Sequence, residues 1–302
     1  MRIAYFIMLH HKPEQFRWLF EAIRGPEDVF LLHVDRKAPD SFRAEIERTV
    51  RGMENVRFLR SQRVAWGGWS QVEVELAAIR ELLALSADWS CYVNLSGQDY
   101  PIKPMAEIRE TLRSCWPANH IGVTPFTEIR RSEPDDPHLA HRVCLDLFGR
   151  RCVRTPLRWP SRALAEAAYK GSSWHMLSRD FCAWAVSSET ARRLASRLRF
   201  TISPDETFFQ ALLMNGPFAA TRANGCGREV IWPGPKVLRF EDAERLGASA
   251  NLFARKFDQE VDRDILVWLA DRNGHPIPDE ARARRGGVAS PASGIDAPAP
   301  AR

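Results

Sequence analysis

From Arg2 to about Asp99 the chain alternates short apolar runs with amphipathic segments, and this alternation restricts its fold more than any other feature. Ile3–Leu9, Val29–Val34, Val56–Phe58 and 91–95 have strand length, whereas 16–24 and Ser70–Leu85 repeat their apolar residues at helical spacing. In the longer helical segment Val72, Leu76, Ile79, Leu82 and Leu83 share one face. Strands that alternate with helices return to one sheet in parallel. The pattern therefore predicts an α/β fold with a mixed, mainly parallel central sheet flanked by helices.

Strand character resumes at 174–177, and helical character at 190–198 and 207–214. Phe253, Phe257, Val261, Ile265 and Leu269 stand four apart and predict a last helix. Between Pro125 and Gly171 the periodicity fades. That Pro- and Arg-rich stretch, about 126–170, carries Arg150, Arg151, Arg154 and Arg158 and is expected to be an ordered but irregular insertion. Beyond about 282 the Gly, Ala, Ser and Pro content predicts a disordered tail, so one domain over 1–282 and a tail over 283–302 are expected.

The 302 residues, 45% of them hydrophobic, suffice for a substantial core. A net charge of +5 suits an anionic ligand such as a nucleotide diphosphate but falls short of the basic stripe of a nucleic-acid binder. A rival reading is a non-catalytic binder of nucleic acid or acidic polymer that uses the arginines of 150–158. It would need interleaved exposed aromatics, and only Phe148 and Trp159 are at hand. The apolar run Ile3–Leu9 is too short for a secretory or spanning segment. A cytoplasmic protein is expected, or one working at the inner face of a membrane with peripheral contact. The six cysteines form no Cys-x-x-Cys pair, so neither a zinc site nor a disulfide framework is signalled. Reduced thiols are the default, and a Cys144–Cys152 bridge stays open.

Several short strings carry candidate chemistry. Leu31-Leu32-His33-Val34-Asp35 reads as a strand ending in an acid, preceded by His10-His11-Lys12. An Asp at the carboxyl edge of an open α/β sheet can accept from a ribose hydroxyl or a base. In Trp66-Gly67-Gly68-Trp69-Ser70 two glycines permit close backbone approach, and Ser70 can cap the following helix. Val93 to Lys103 reads VNLSGQDYPIK, a strand and turn in which Asp99 is the one acid. One carboxylate beside Gln98 is a poor cage for a divalent cation. Asp262-Arg263-Asp264 matches the metal-binding DxD as text but falls within the last helical pattern, where a solvated face is expected. Arg255 and Lys256, at the opening of that helix, are two adjacent cations that could neutralise a diphosphate. Gly171 to Arg179 reads as an aromatic strand that contains Trp174. Ser203-Pro204-Asp205-Glu206 has the form of a capping box, with Ser203 as N-cap and Glu206 at the third helical position. A second rival is a metal-dependent transferase or hydrolase built on His10, His11 and His33.

Taken together, these strings resemble the core-2/I-branching and peptide O-xylosyltransferase family of glycosyltransferases, and the resemblance extends from Arg2 to about Leu269. It implies a GT-A-like, Rossmann-type domain and an inverting transfer of xylose or N-acetylglucosamine from a UDP-sugar to an acceptor hydroxyl. It further implies Glu206 as general base, Asp35 at the nucleoside, and Arg255 and Lys256 at the diphosphate. Trp66, Gly67, Asp99 and Trp174 would border the donor or acceptor sugar, with no metal and no cofactor beyond the donor. A glycan, a lipid-linked precursor or a peptide could be the acceptor.

Overall fold

A computed structural model describes residues 1–160, 165–223, 225–232 and 234–278. The expected tail, 283–302, lies outside the described residues. The strands, in chain order, are β1 (Ile3–Leu9), β2 (Val29–Val34), β3 (Val56–Phe58), β4 (Cys91–Ser96), β5 (Asp99–Pro101), β6 (Asn119–His120) and β7 (Thr124–Pro125). They continue with β8 (Arg142–Asp146), β9 (Cys152–Arg158), β10 (Tyr169–Lys170), β11 (Met176–Ser178), β12 (Arg222–Ala223), β13 (Arg228–Val230) and β14 (Phe253–Arg255). Helices α1 (Pro13–Ile23), α2 (Asp40–Thr49), α3 (Ser70–Leu85), α4 (Met105–Ser114) and α5 (Phe126–Ser132) fall in the first half. The remainder are α6 (Arg179–Ser187), α7 (Glu189–Leu198), α8 (Phe208–Met214), α9 (Ala243–Ala248) and α10 (Asp264–Asn273).

The main sheet has seven strands in the order β12-β6-β11-β4-β1-β2-β3, and β4, β1, β2 and β3 run parallel as the alternation predicts. β11 is antiparallel to β4 and makes the sheet mixed. Side chains alternate across a strand. Ile3, Tyr5, Ile7 and Leu9 therefore face one core, with residues of α1, α2, α4 and α10, while Ala4 and Phe6 face a second, with residues of α3, α6, α7 and α8. Both faces of the parallel strands are covered, which is why these strands read as continuous apolar runs. A smaller sheet, β13-β14-β5, pairs Arg255 with Asp99 in register.

Several local expectations are corrected. Phe253 lies in β14 and Phe257 in the turn after it; of the five residues spaced by four, Ile265 and Leu269 are helical. A spacing of four is also a multiple of the strand period of two, so spacing alone could not separate the two states. Arg255 and Lys256 accordingly sit at the end of a strand, not at the opening of a helix. Asp262 precedes α10 and accepts from the Ile265 amide at 3.1 Å, whereas Asp264 lies exposed in the first turn of the helix as expected. Ser70 does not cap α3: its hydroxyl accepts from the Ala65 amide, and its own amide is met by Asp146 at 2.8 Å. The stretch 126–170 is more regular than expected. It holds α5 and a two-stranded ribbon, β8–β9, whose alternation was hidden by its arginines and proline. Cys144 and Cys152 sit on the two strands of that ribbon as free thiols. Among the described residues no helix is long and apolar enough to cross a membrane.

Candidate functional site

Because β4, β1 and β2 are adjacent and parallel, their carboxyl ends open on one side of the sheet, where ligands of such sheets gather. A cavity of about 480 Å³ lies there. Its floor is Leu9–His11 after β1, Asp35 after β2 and Ser96–Gln98 after β4; the antiparallel β11 brings Ser173 and Trp174 to the same edge. Asp35 closes one end. Its carboxylate accepts from the Lys37 amide at 2.8 Å and the Val64 amide at 3.3 Å, which fixes its orientation. His10 and His33 line the same end, and burial pushes each imidazole down to about 4, so both are neutral hydrogen-bonding groups near neutral pH. Among the described residues no group of three or more His, Cys, Asp or Glu side chains is arranged to hold a metal ion.

Glu206 lines the same cavity. The capping box does not form: Ser203 is in the left-handed region at φ 41° and its side chain caps nothing. The Ser203 amide donates instead to the Gly67 carbonyl at 2.9 Å, so the glycine loop and the Glu206 segment brace each other. Freed from capping, the Glu206 carboxylate is approached by His138 Nε2 at 3.6 Å and Lys170 Nζ at 3.7 Å. Both are held by Asp136, through His138 Nδ1 at 2.8 Å and an ion pair to Lys170. Neighbouring Asp205 is buried and accepts from Gln71 Nε2 at 3.0 Å. Burial first, and the adjacent Glu206 charge second, push its carboxyl up to about 8, so at neutral pH it keeps its proton.

The cationic wall is built from the smaller sheet. Arg255 lines the cavity with its guanidinium 4.0 Å from the Trp174 ring centre, a cation–π contact that fixes the fork. Its Nε is buried without a hydrogen-bond partner. Lys256 does not line the cavity but lies close enough for its charge to help lower His10 and His11 below the ordinary imidazole range, after burial. Asp99 is corrected. It is fully enclosed, accepts from the Ser96 amide and hydroxyl at 2.7 Å each, and lies 3.3 Å from Arg228 Nε. A residue so enclosed cannot touch a sugar; it anchors Arg228 behind the wall.

The structure thus brings Asp35, Trp66, Trp174, Glu206 and Arg255 to one cavity, whereas Gly67 and Asp99 hold its walls from behind. His138, Lys170, Asp136 and Arg228 were not singled out from sequence. The first three lie in or beside the stretch without periodicity, where no spacing announces a partner 36 to 68 residues away. A separate open groove of about 960 Å³, bordered by Arg36, Arg60, Arg63, Trp69 and Phe148, contains none of the residues the resemblance assigns.

The family model of the core-2/I-branching enzyme matches residues 3–250. The chain belongs to this family. It is similar to human beta-1,3-galactosyl-O-glycosyl-glycoprotein beta-1,6-N-acetylglucosaminyltransferase, 29% identical over 68% of this chain and 46% of that one. It is also similar to mouse N-acetyllactosaminide beta-1,6-N-acetylglucosaminyl-transferase, 31% identical over 70% of this chain and 52% of that one. The chain spans about half the length of these curated relatives. The solved apo structure of mouse xyloside xylosyltransferase 1 overlaps 91% of this chain and 100% of that chain, at 12% identity and a TM-score of 0.41. The fold class of this branching-enzyme family member is α/β, with a mixed, mainly parallel central sheet flanked by helices.

Proposed function

We propose that the chain is an inverting glycosyltransferase that moves a sugar from a UDP donor to an acceptor hydroxyl of a glycan, with N-acetylglucosamine as the favoured sugar and xylose as the alternative. The observation that carries this reading is the meeting, in one cavity at the carboxyl edge of the sheet, of a Glu206 carboxylate and an aromatic-clamped Arg255. The printed names of the two relatives favour N-acetylglucosamine. Glu206 takes the proton of the acceptor hydroxyl as that oxygen attacks the anomeric carbon from the face opposite the phosphate. The bond from anomeric carbon to phosphate oxygen breaks, and UDP departs with its new charge against Arg255, with the Lys256 charge acting from outside the cavity lining. Fixed cations at a leaving group are worth roughly 3 to 4 kcal/mol per well-placed donor. Asp35 receives the nucleoside, and Trp66, 81% exposed, forms the rim over the sugar.

Thermal-shift screening against UDP-N-acetylglucosamine, UDP-xylose, UDP-glucose and UDP-glucuronate tests the donor, since a selective ligand raises the melting temperature by mass action. No shift with any of them would overturn the reading. UDP binding is expected to survive EDTA, because protein cations stand where a metal would otherwise neutralise the diphosphate. Calorimetry with and without chelator checks it, and loss of binding in EDTA would restore the metal-dependent alternative. Arg255→Ala is expected to weaken UDP roughly tenfold while leaving uridine nearly unchanged, a charge-assisted contact being worth about 1.5 kcal/mol, and Lys256→Ala, whose charge acts from outside the cavity lining, is expected to weaken it less. Equal losses for both ligands would remove these side chains from the phosphate site.

A further inference from the structure

Two polar side chains of α3, Gln71 and Glu75, stand four residues apart on one face of the helix, and both line the cavity. Gln71 uses both ends of its amide on neighbouring segments: Oε1 accepts from the Gly67 amide, and Nε2 donates to Asp205 Oδ2 at 3.0 Å. Glu75 is only 3% exposed, a setting that is costly for a carboxylate unless donors surround it. Three do, and all meet the same oxygen. The Tyr92 hydroxyl donates to Oε1 at 2.9 Å, the Asn94 side-chain amide donates to it at 3.1 Å, and His175 Nε2 lies 2.8 Å from it. Burial first, and the Glu75 charge second, push the Tyr92 phenol well above its ordinary range, so it keeps the proton it donates.

The second oxygen is placed differently. Among the described residues Oε2 accepts no hydrogen bond, yet it is not closed off from solvent without a partner, as Asp205 Oδ1 is. Because Glu75 lines the cavity, Oε2 opens onto it. A glutamine could accept the same three bonds without burying a charge; what it could not do is present an acceptor on the other side. Two neighbours fix what meets that acceptor. His175 directly follows Trp174, which clamps Arg255, and the Glu75 charge reaches Asp205, where it adds to burial and to Glu206 in pushing that carboxyl up to about 8. In the proposed transfer Arg255 takes the diphosphate and Glu206 the attacking hydroxyl. A carboxylate next to both segments therefore meets the sugar that is transferred.

We propose that Glu75 is a specificity-determining residue whose Oε2 accepts a hydrogen bond from a hydroxyl of the transferred sugar; this rests on the transfer reading above. An ionised carboxylate oxygen takes only donors, so it is matched by sugar hydroxyls and not by the phosphate oxygens or the uracil carbonyls of the same ligand. Discrimination follows from the burial. An analogue without the matching hydroxyl leaves a desolvated acceptor unpaired, and a site built to bond a hydroxyl rejects such an analogue far more strongly than an apolar pocket rejects a missing methylene.

Calorimetry on the full chain tests it with UDP, UDP-N-acetylglucosamine, UDP-xylose and deoxy analogues of whichever sugar donor binds more tightly, each lacking one ring hydroxyl. One analogue is expected to bind wild type roughly tenfold more weakly than its parent, or worse, as befits a lost hydrogen bond to a charged group. Glu75→Gln keeps an acceptor for Tyr92, Asn94 and His175 and turns Oε2 into an amide donor. It is expected to weaken the parent donor by a similar factor, to leave UDP within about twofold, and to bind that one analogue no worse than wild type does. Glu75→Asp, which keeps the charge but draws the carboxylate back, is expected to show the same selective loss. If no deoxy analogue loses affinity for wild type, the inference falls without any variant. It falls too if either variant weakens UDP as much as the sugar donor, since Glu75 would then only brace the surrounding segments, or if the variants weaken parent and analogues alike. Failure of UDP and both sugar donors to bind wild type is a separate outcome, which overturns the transfer reading and this inference with it.

Discussion

Glu206→Gln is expected to lower turnover by two to four orders of magnitude while UDP affinity and melting temperature stay near wild type. General-base assistance contributes roughly 10²- to 10⁴-fold, and glutamine keeps the shape of the side chain while removing the proton acceptor. A structural role for Glu206 would predict otherwise, but its carboxylate caps no helix in this fold. Its near neighbours, His138 Nε2 and Lys170 Nζ, sit at 3.6 and 3.7 Å, beyond hydrogen-bonding distance, so little folding energy depends on the charge. Burial and the adjacent Glu206 push the Asp205 carboxyl up to about 8, so at neutral pH Asp205 is not the ready proton acceptor. The measurement is initial-rate UDP release at saturating donor and acceptor, beside calorimetry with UDP and a thermal melt. Near-normal turnover in a well-folded variant would sink Glu206 as base. The search would then pass to Asp205, because Asp99 is enclosed and Glu229 is occupied by Arg245, Ser249 and Asn251.

How far the sequence could be read depended on whether a residue's setting was local. The parallel strands were legible because burial on both faces leaves an unbroken apolar run, and α3 was legible end to end because sixteen residues carry several turns of one face. Glu206 was visible only as part of a string whose local meaning, a capping box, is not realised. Ser203 is turned into the left-handed region by its contact with Gly67, 136 positions earlier, and no spacing rule contains that contact. The same limit hid His138 and Lys170, which reach Glu206 through a common hold on Asp136. Lone polar residues in a stretch without periodicity give no sign of which way they face. Asp99 was misread for a related reason: its string marks the turn correctly, but whether a turn carboxylate faces the cavity or the interior depends on Arg228, brought in by a strand more than a hundred residues later.

That reassignment leads to the largest expected effect on stability. Asp99 and Arg228 are both almost completely buried, with Arg228 Nε 3.3 Å from Asp99 Oδ1 in ionic contact but without hydrogen-bond alignment. Arg228 also donates to the Asn94 carbonyl at 2.8 Å and lies over the Trp174 and Phe253 rings at 5.7 and 5.0 Å. Removing one member leaves the other charge in a medium that cannot solvate it, which costs about 3 to 5 kcal/mol. Asp99→Ala or Arg228→Met is therefore expected to lower the melting temperature by about 10 °C, at roughly 2 to 4 °C per kcal/mol for a domain of this size. The double variant Asp99→Leu with Arg228→Met should recover part of that loss, because it leaves no unpaired charge, though not the bond to Asn94 or the ring contacts. Donor affinity should fall in the single variants as well, since the wall carrying Arg255 and Trp174 loses its backing. Asp99→Asn separates this account from a sugar-binding one: it keeps an acceptor for the Ser96 amide and hydroxyl but strips the charge that faces Arg228. If Asp99 served the sugar directly, Asp99→Asn would weaken the donor while leaving the melt untouched, and that result would return Asp99 to the cavity.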